Sequence, residues 1–305
     1  MEQQNENFNG SGIEPVETIE NITLLGFPSS GKSSFLAALY NYVISNVQDK
    51  SLQQYKPSND TEYLNFIHTR WLSCDDQKRT QDVQANPNIL LFLKDKLGDK
   101  VTLNIPDVAG EVFNRQWELR MWEKKYRQGL VKAKGLLFFI KTQDLVPHVI
   151  ISDVVHGLGD FLAEANTEDF NPAAERWVHD KTPTQVRLVE ILQFHLDELK
   201  PADPFPIVFI LSQWDKELVR QQGITPEDWF KINLPLLHQY IQANPEQISY
   251  EVVGVSAQGG DYAIDKIELQ DLDEQADRVK VAFRNEQIHR DITLPIRLIM
   301  DKWKK

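Results

Sequence analysis

Residues 26–33 of the chain read Gly26-Phe27-Pro28-Ser29-Ser30-Gly31-Lys32-Ser33. Their spacing matches the phosphate-loop pattern G-x-x-x-x-G-K-S/T, which has physical meaning only between a strand and a helix. An apolar run that ends at Leu25 precedes the loop, and apolar residues recur at helical spacing after it. This context predicts that the loop binds the phosphates of a nucleotide. A coincidental glycine-rich turn is the alternative.

The chemistry of such a loop assigns a role to each residue type. Glycines let the backbone wrap closely around a di- or triphosphate, so that N–H groups and the positive end of the helix dipole face the anion. Lys32 is then expected against the β- and γ-phosphates, and the Ser33 hydroxyl is expected to ligate Mg²⁺. The predicted nucleotide-binding residues of the loop are Gly26, Ser29, Ser30, Gly31, Lys32, Ser33 and Ser34.

Composition excludes several classes of function. The chain has 305 residues, of which 41% are hydrophobic and 26% charged, as in ordinary globular proteins. Its formal net charge of -12 argues against a general surface for nucleic acid or anionic membranes, because such surfaces are basic. Cys74 is the only cysteine, which excludes an internal disulfide and favours a reducing, cytoplasmic setting. The longest apolar runs are too short to span a bilayer, so no integral membrane segment is expected.

Strands and helices alternate along the sequence. Short continuous apolar runs predict strands near residues 22–25, 89–93, 101–105, 136–140, 207–211 and 250–255. Helical spacing predicts helices near residues 35–44, 113–132, 184–199, 225–243 and 292–303. A turn at Gly98-Asp99 predicts an antiparallel hairpin. The alternation indicates an α/β fold, with a mostly parallel sheet between two layers of helices.

The chain is expected to form one enlarged domain. Residues 1–17 are polar and acidic and predict a disordered tail, so the domain spans residues 18–305. Residues 47–87 are polar and show no clean periodicity. Residues 143–180 are expected to be an insertion, and residues 261–305 a polar linker followed by a helix.

Asp107 follows the predicted strand at residues 101–105 and is placed to hold Mg²⁺ through water. Gly110 lies three residues further on and permits a backbone N–H to approach the γ-phosphate. The alternative is an ordinary turn in which the aspartate caps a helix.

Asp215 follows the strand at residues 207–211. A carboxylate there can accept two hydrogen bonds from the N1–H and N2–H₂ groups of guanine, whereas adenine offers one donor and one acceptor. Ser256 and Ala257 end the last predicted strand, where a backbone N–H can meet guanine O6. The alternative for Asp215 is again a helix cap.

In this order and spacing, the four motifs resemble the translation-factor-like class of P-loop GTPases over about residues 22–257. The matching motifs are the phosphate loop, Asp107-x-x-Gly110 for switch two, Ser212-Gln213-Trp214-Asp215 for Asn-Lys-x-Asp, and Ser256-Ala257-Gln258 for Ser-Ala-Lys. Within the class, the chain resembles the bacterial double-GTPase proteins of multi-gene conflict or defence systems. This narrower resemblance rests on residues 35–39, the pair Arg79-Thr80 and residues 291–300.

The resemblance implies a G-domain in which a mostly parallel six-stranded sheet carries one antiparallel edge strand and helical insertions. It implies Mg²⁺-dependent binding of GTP or GDP, and switch regions read by protein partners. Residues 47–87 become an extended switch one, in which Thr80 ligates Mg²⁺ beside Ser33 and Asp107. Thr61, Thr69 and Ser73 compete with Thr80 for this role. The base is expected to be bound by Gln213, Asp215, Ser256 and Ala257.

The chain departs from the class at residues that matter for chemistry. Ser212 and Gln213 replace the usual Asn and Lys, so guanine preference rests mainly on Asp215. Glu111 stands where many GTPases place a water-orienting Gln, and its charge predicts slow intrinsic hydrolysis. Glu111 is either catalytic or a first-turn helix acid. Arg79 is either an arginine supplied in cis to the transition state or a solvated charge.

Two other functions stay open at this point. The first is an ATP-dependent P-loop kinase or ATPase, although no arginine cluster that could form a basic lid follows the phosphate loop. The second is a non-hydrolysing scaffold that binds nucleotide for stability and acts through protein contacts. Glu111 and the altered Ser212-Gln213 pair keep this second function open.

Overall fold

The structure is a computed structural model and describes residues 19–45, 49–77, 88–106, 117–147, 182–285 and 287–304. Its strands are β1 (Glu20–Gly26), β2 (Leu52–Lys56), β3 (Asn88–Asp95), β4 (Lys100–Pro106), β5 (Ala133–Lys141), β6 (Phe205–Ser212), β7 (Ile248–Ser256), β8 (Lys280–Ala282) and β9 (Ile288–His289). The predicted tail at residues 1–17 and most of the predicted insertion at residues 143–180 lie outside the described residues.

Helices connect most of these strands. They are α1 (Lys32–Ile44), α2 (Thr61–Leu72), α3 (Lys124–Leu130), α4 (Thr184–Leu199), α5 (Trp214–Arg220), α6 (Pro226–Asn233), α7 (Pro235–Ala243), α8 (Lys266–Gln270) and α9 (Leu294–Trp303), with a 3₁₀ turn at Gln275–Arg278. None of the helices in the described ranges combines the length and the apolar character that crossing a membrane requires.

The strands form one sheet in the order β2-β3-β4-β1-β5-β6-β7-β8-β9. The central strands β4, β1, β5, β6 and β7 are parallel, and the hairpin β3-β4 is antiparallel as predicted. The prediction of a mostly parallel six-stranded sheet is wrong, because β2, β8 and β9 extend the sheet with antiparallel pairings at both edges. β2 is largely polar, and β8 and β9 have three and two residues, so none of them forms an apolar run.

The central strands are apolar throughout because both of their faces are covered. All eight residues of β6 are buried. In β5, Leu137 and Phe139 pack into one core with α1, α2 and α9, whereas Phe138 and Ile140 pack into a second core with α3, α4, α6 and α7. The α/β fold with helices on both faces is therefore confirmed.

Proline and capping signals set several helix ends. The bounds of α4 agree with the predicted helix at residues 184–199. The helix predicted at residues 225–243 is instead two helices, because Pro235 begins α7 immediately after Leu234, where α6 has ended. Thr225 caps α6 as its sequence suggests, its side chain accepting a hydrogen bond from the Asp228 N–H.

The polar stretch at residues 47–87 contains regular structure that the sequence analysis missed. β2 and α2 lie within it, and α2 buries Tyr63, Leu64, Ile67 and Trp71. The predicted linker after residue 261 likewise contains α8 and the 3₁₀ turn. β2, α8 and the 3₁₀ turn are short or polar and give no periodic pattern. In α2 the buried residues do recur at helical spacing after the Asp60 cap, a signal that the sequence analysis overlooked.

A buried histidine joins α3 to α4. The His195 Nδ1 lies 2.7 Å from the Ile191 carbonyl oxygen, which can only accept, so Nδ1 carries the proton. Nε2 then accepts a hydrogen bond from the Tyr126 hydroxyl at 2.7 Å. Burial lowers the pKa of His195 to about 4.

We predict that this histidine makes the protein less stable in acid. The fold favours neutral imidazole, so its contribution is complete above the unfolded pKa of about 6.5 and is lost as the pH falls towards 4, by about 3 kcal/mol at most. Urea unfolding between pH 7.5 and 4.5 should show a shallower pH dependence for His195→Gln than for wild type. His289→Gln is the control and should keep the wild-type slope; an unchanged slope in His195→Gln would contradict the prediction.

Candidate nucleotide-binding site

The carboxyl ends of four parallel strands lie side by side. The register pairs Gly26 with Phe139, Lys141 with Ser212, and Ser212 with Val255. The loops that follow β1, β5, β6 and β7 therefore leave from the same edge of the sheet, where open α/β sheets bind ligands. The structure thus brings the phosphate loop and both candidate base-binding loops to one edge.

The phosphate loop ends at a helix whose N-terminus has no side-chain cap. The Ser30 N–H donates to the Phe27 carbonyl at 3.2 Å, and Gly31 holds the N-cap position with φ 89°. The first turn of α1, which contains Ser33 and Ser34, has no acidic residue. Its N–H groups and the helix dipole fit an anion, and a polyphosphate is the ligand that this loop geometry suits.

Lys32 lies across its own loop. Its Nζ donates to the carbonyl oxygens of Gly26 at 2.7 Å and Phe27 at 2.9 Å, and lies 3.3 Å from the Ser30 Oγ. A phosphate bound in the loop has to compete with these oxygens for the ammonium group. These hydrogen bonds hold the Lys32 ammonium group within the loop that is predicted to bind phosphate.

Gly31 is in direct contact with the end of β6. A Cβ built on Gly31 would lie 2.9 Å from the Ser212 Cβ and 3.2 Å from the Ser212 Oγ, closer than side chains normally approach. The Ser212 carbonyl in turn accepts hydrogen bonds from the N–H and the hydroxyl of Thr142, at 3.3 and 3.1 Å. At this position the resemblance implies an asparagine whose amide would brace the loop. Here the phosphate loop instead packs closely against Ser212.

The loop after β6 presents Asp215 without a partner among the residues that the structure describes. Gln213 has a left-handed conformation with φ 60° and occupies the N-cap position of α5, and no side chain caps this helix. Asp215 lies in the first turn and is half-buried. No hydrogen bond or ion pair joins its carboxylate to another described residue. Its carboxylate can therefore accept hydrogen bonds from a ligand.

Glu217 fixes this loop, and sequence reasoning missed it. Its side chain is 1% exposed, its Oε2 accepts from the Trp229 indole N–H at 3.0 Å, and its Oε1 accepts from the Gln143 amide at 2.5 Å. Arg220 lies 3.5 Å away as an ion-pair partner. An acid in a charged helix gives no sequence signal of burial. Glu217 therefore joins α5 to α6 and to the loop after β5.

The loop after β7 is held from three sides. The Ser256 hydroxyl accepts from the Gly259 N–H at 3.0 Å, and the Lys280 Nζ donates to the Gly259 carbonyl at 3.2 Å. The Trp71 indole N–H donates to the Ala257 carbonyl at 2.8 Å. The predicted base-binding residues Ser256 and Ala257 consequently lie in a loop of fixed shape.

Cationic residues flank the same edge. Lys141 ends β5 and hydrogen-bonds to Asp144, and this bond holds the pKa of Asp144 below its usual range, with a smaller contribution from the charge of Lys216. Lys216 lies on α5 and its Nζ is 3.6 Å from the Asp261 carboxylate. Each lysine is therefore paired with a carboxylate, so neither pair adds net positive charge to this edge.

Five predicted site residues lie outside the described residues: Arg79, Thr80, Asp107, Gly110 and Glu111. β4 ends at Pro106, directly before Asp107. Of the competitors for the switch-one threonine, Thr69 lies within α2 and donates its hydroxyl proton to the Asn65 carbonyl at 2.9 Å. Of the predicted Mg²⁺ ligands, Ser33 is the one that the described residues contain, in the first turn of α1.

The family model described as Double-GTPase 1 matches residues 23–299. The chain belongs to the Double-GTPase 1 family. The match runs from β1 to α9 and so includes the phosphate loop and both candidate base-binding loops of this double-GTPase. Membership of the family supports GTP binding.

The chain is only distantly similar to solved structures. The small COPII coat GTPase SAR1 of Encephalitozoon cuniculi, in complex with GDP, is 11% identical with a TM-score of 0.36, and the alignment covers 94% of this chain and 83% of that one. The signal recognition particle receptor SRb-GTP/SRX complex of Chaetomium thermophilum is 12% identical with a TM-score of 0.37, over 79% of this chain and 91% of that one. No curated protein matches this double-GTPase.

The contact between Gly31 and Ser212 predicts a selective effect of Gly31→Ala. An alanine at either Gly31 or Gly98 is strained by about 1–2 kcal/mol because φ is 89° and 95° respectively. Only at Gly31 does the new methyl group also meet Ser212. Gly31→Ala should weaken binding of fluorescent GDP by about tenfold or more, as the loop is displaced from β6.

Gly98→Ala is the matched control, because a Cβ there meets nothing within 4 Å. It should lose stability without losing affinity. Equal GDP affinity of the two variants would show that the phosphate loop does not depend on Ser212.

Proposed function

We propose that the chain is a guanine-nucleotide switch that binds GTP and GDP with Mg²⁺ and hydrolyses GTP slowly. The observation that carries this proposal is the direct packing of Gly31 on Ser212. It joins a phosphate-binding loop to a strand whose next turn offers the carboxylate of Asp215. One nucleotide can then engage both loops, with its phosphates at α1 and its base at α5.

Guanine recognition rests on Asp215 and on the loop after β7. The Asp215 carboxylate accepts from N1–H and N2–H₂ of guanine, and a backbone N–H at Ala257 or Gln258 donates to O6. Adenine reverses part of this pattern and leaves a buried acceptor facing a carboxylate, which is costly. Gln213 occupies the left-handed N-cap position of α5. Its aliphatic stem is shorter than that of the lysine that the resemblance implies, so it covers less of the base.

Ser33 and several residues outside the described ranges complete the chemistry in this proposal. Ser33, Thr80 and Asp107 hold Mg²⁺, which when bound neutralises charge on the β- and γ-phosphates. Gly110 senses the γ-phosphate, Glu111 repels it and so slows hydrolysis, and Arg79 supplies positive charge to the transition state. Protein partners in a cytoplasmic, multi-protein bacterial system read the GTP-bound state.

A second function is favoured by Glu111 and by the internal bonding of residues 49–77. His68 bonds to Asn41 of α1, and Trp71 bonds to Ala257, so this part of the predicted switch one is built into the domain. A protein whose switch segment is fixed in this way can act as a scaffold that binds nucleotide for stability and does not hydrolyse it.

Nucleotide selectivity tests the base assignment. By calorimetry, wild type should bind GTP and GDP far more tightly than ATP. Asp215→Ala should reduce the preference for GTP over ATP by about a hundredfold or more, because the bidentate acceptor is lost. Glu268→Ala removes an exposed first-turn acid of α8 and is the control. Equal affinity of wild type for ATP and GTP would remove the GTPase assignment.

Single-turnover hydrolysis separates the switch from the scaffold. Wild type should hydrolyse GTP slowly with Mg²⁺ and stop when the metal is chelated. Glu111→Gln should raise the rate by about tenfold, because the negative charge beside the γ-phosphate is removed, and Arg79→Ala should lower it. No measurable wild-type hydrolysis, even with partners present, would support the scaffold instead.

A further inference from the structure

We infer that Trp71 is a positioning residue for guanine recognition: its indole N–H holds the Ala257 carbonyl so that the loop after β7 presents its backbone N–H to guanine O6. This inference rests on the proposed function, because it gives a residue of α2 a role in the base site. The three residues Trp71, Ala257 and Arg278 are called the Trp71 brace below.

The bond between Trp71 and Ala257 joins distant parts of the chain. The two residues are 186 positions apart, and the donor-acceptor distance is 2.8 Å. Trp71 is 0% exposed and Ala257 is 9% exposed, so water cannot replace either partner. A buried indole N–H without an acceptor is costly, and this carbonyl satisfies it. This hydrogen bond therefore joins α2 to the loop after β7, and breaking it would leave a buried donor and a buried acceptor without partners.

Holding this carbonyl also sets the direction of the next N–H. The peptide unit between Ala257 and Gln258 is planar and trans, so its N–H points opposite to its C=O. Among the described residues, none accepts a hydrogen bond from the Gln258 N–H. The far end of the turn is fixed by the bond from the Gly259 N–H to the Ser256 hydroxyl. The Gln258 N–H thus has a fixed direction, away from the indole.

Arg278 holds the indole in place. Its guanidinium carbon lies 4.2 Å from the centre of the Trp71 ring, and its Nη1 donates to the Trp71 carbonyl at 2.8 Å and to the Cys74 Sγ at 2.9 Å. Arg278 is 1% exposed and lies two residues before β8. A Cβ on Gly259 would lie 2.6 Å from the Arg278 carbonyl oxygen, so the base loop packs directly on this residue.

The Trp71 brace therefore consists of elements that lie outside the six strands expected for the fold. α2 supplies the indole, and the segment before β8 supplies the guanidinium. Because Gln213 replaces the lysine whose stem normally covers the base, the site has lost one contact on that side. The Trp71 brace holds the backbone N–H that contacts guanine O6 in a fixed position, and a fixed donor discriminates better between bases.

The test measures the O6 contact separately from the Asp215 contact. GDP is compared with 6-thio-GDP, in which sulfur is a weaker acceptor at position 6, and with IDP, which lacks the N2 amino group. Trp71→Phe keeps a buried ring but removes the N–H donor. It should weaken GDP binding by about three- to tenfold and reduce the preference for GDP over 6-thio-GDP, while the preference for GDP over IDP stays as in wild type.

Trp303→Phe is the matched control. It removes the hydrogen bond of 2.9 Å from the Trp303 indole N–H to the Lys134 carbonyl. Lys134 lies near the start of β5, at the opposite end of the strands from the base loop. It should leave all three affinities unchanged. A benzothienylalanine at position 71 keeps the bicyclic shape with sulfur in place of the N–H, and it should reproduce Trp71→Phe even where the phenylalanine variant folds poorly.

The outcomes are distinct. If wild type does not distinguish GDP from ADP, the proposed function fails and the inference fails with it. If wild type does distinguish them and both position-71 variants keep the wild-type preference for GDP over 6-thio-GDP, the inference alone is wrong. An equal loss of GDP, 6-thio-GDP and IDP binding would also overturn it, because that pattern indicates a general loss of structure.

Discussion

The close approach of Gly31 to Ser212 is the constraint on which the rest of the site depends. There is no room for a Cβ on Gly31, so the phosphate loop lies against the end of β6 itself. The strand then turns at Gln213 into α5, and Asp215 follows in its first turn. Close packing of the Gly31 backbone against the Ser212 side chain thus fixes the distance between the phosphate-binding and base-binding ends of the site. A hydrogen-bonded asparagine is not needed for this.

Additions at both edges of the sheet make this core more rigid. Asp291 accepts hydrogen bonds from the Ser51 hydroxyl at 2.8 Å and from Arg297 of α9 at 2.7 Å, which ties the start of β2 to the last helix. The Tyr40 hydroxyl donates to Asn65, joining α1 to α2. The segment at residues 49–77, which carries α2, therefore contacts the phosphate helix α1, the residues at the start of the C-terminal helix α9 and the base loop. Conformational change in a switch is expected to be confined to residues without such ties.

Sequence alone could predict the elements whose signal is local. The apolar runs around Phe209 and Phe138 are strands because both faces are covered, and the phosphate loop is recognised by its glycines and its flanks. β2 was not predicted because a short, largely polar strand has no apolar alternation. α2 was missed although Tyr63, Leu64, Ile67 and Trp71 recur at helical spacing after the Asp60 cap. The burial of Glu217 and the acceptor of Trp71 could not be predicted at all, since their partners come from other elements and are known only once the chain has folded.

The central claim is that one guanine nucleotide spans the phosphate loop and the two base loops. A crystal structure of the chain with GDP and Mg²⁺ tests it most directly. We expect the phosphates against the N–H groups of residues 29–33, and the guanine within hydrogen-bonding distance of both Asp215 and the loop after Ser256. A nucleotide bound elsewhere, or one whose base lies away from Asp215, would contradict the account.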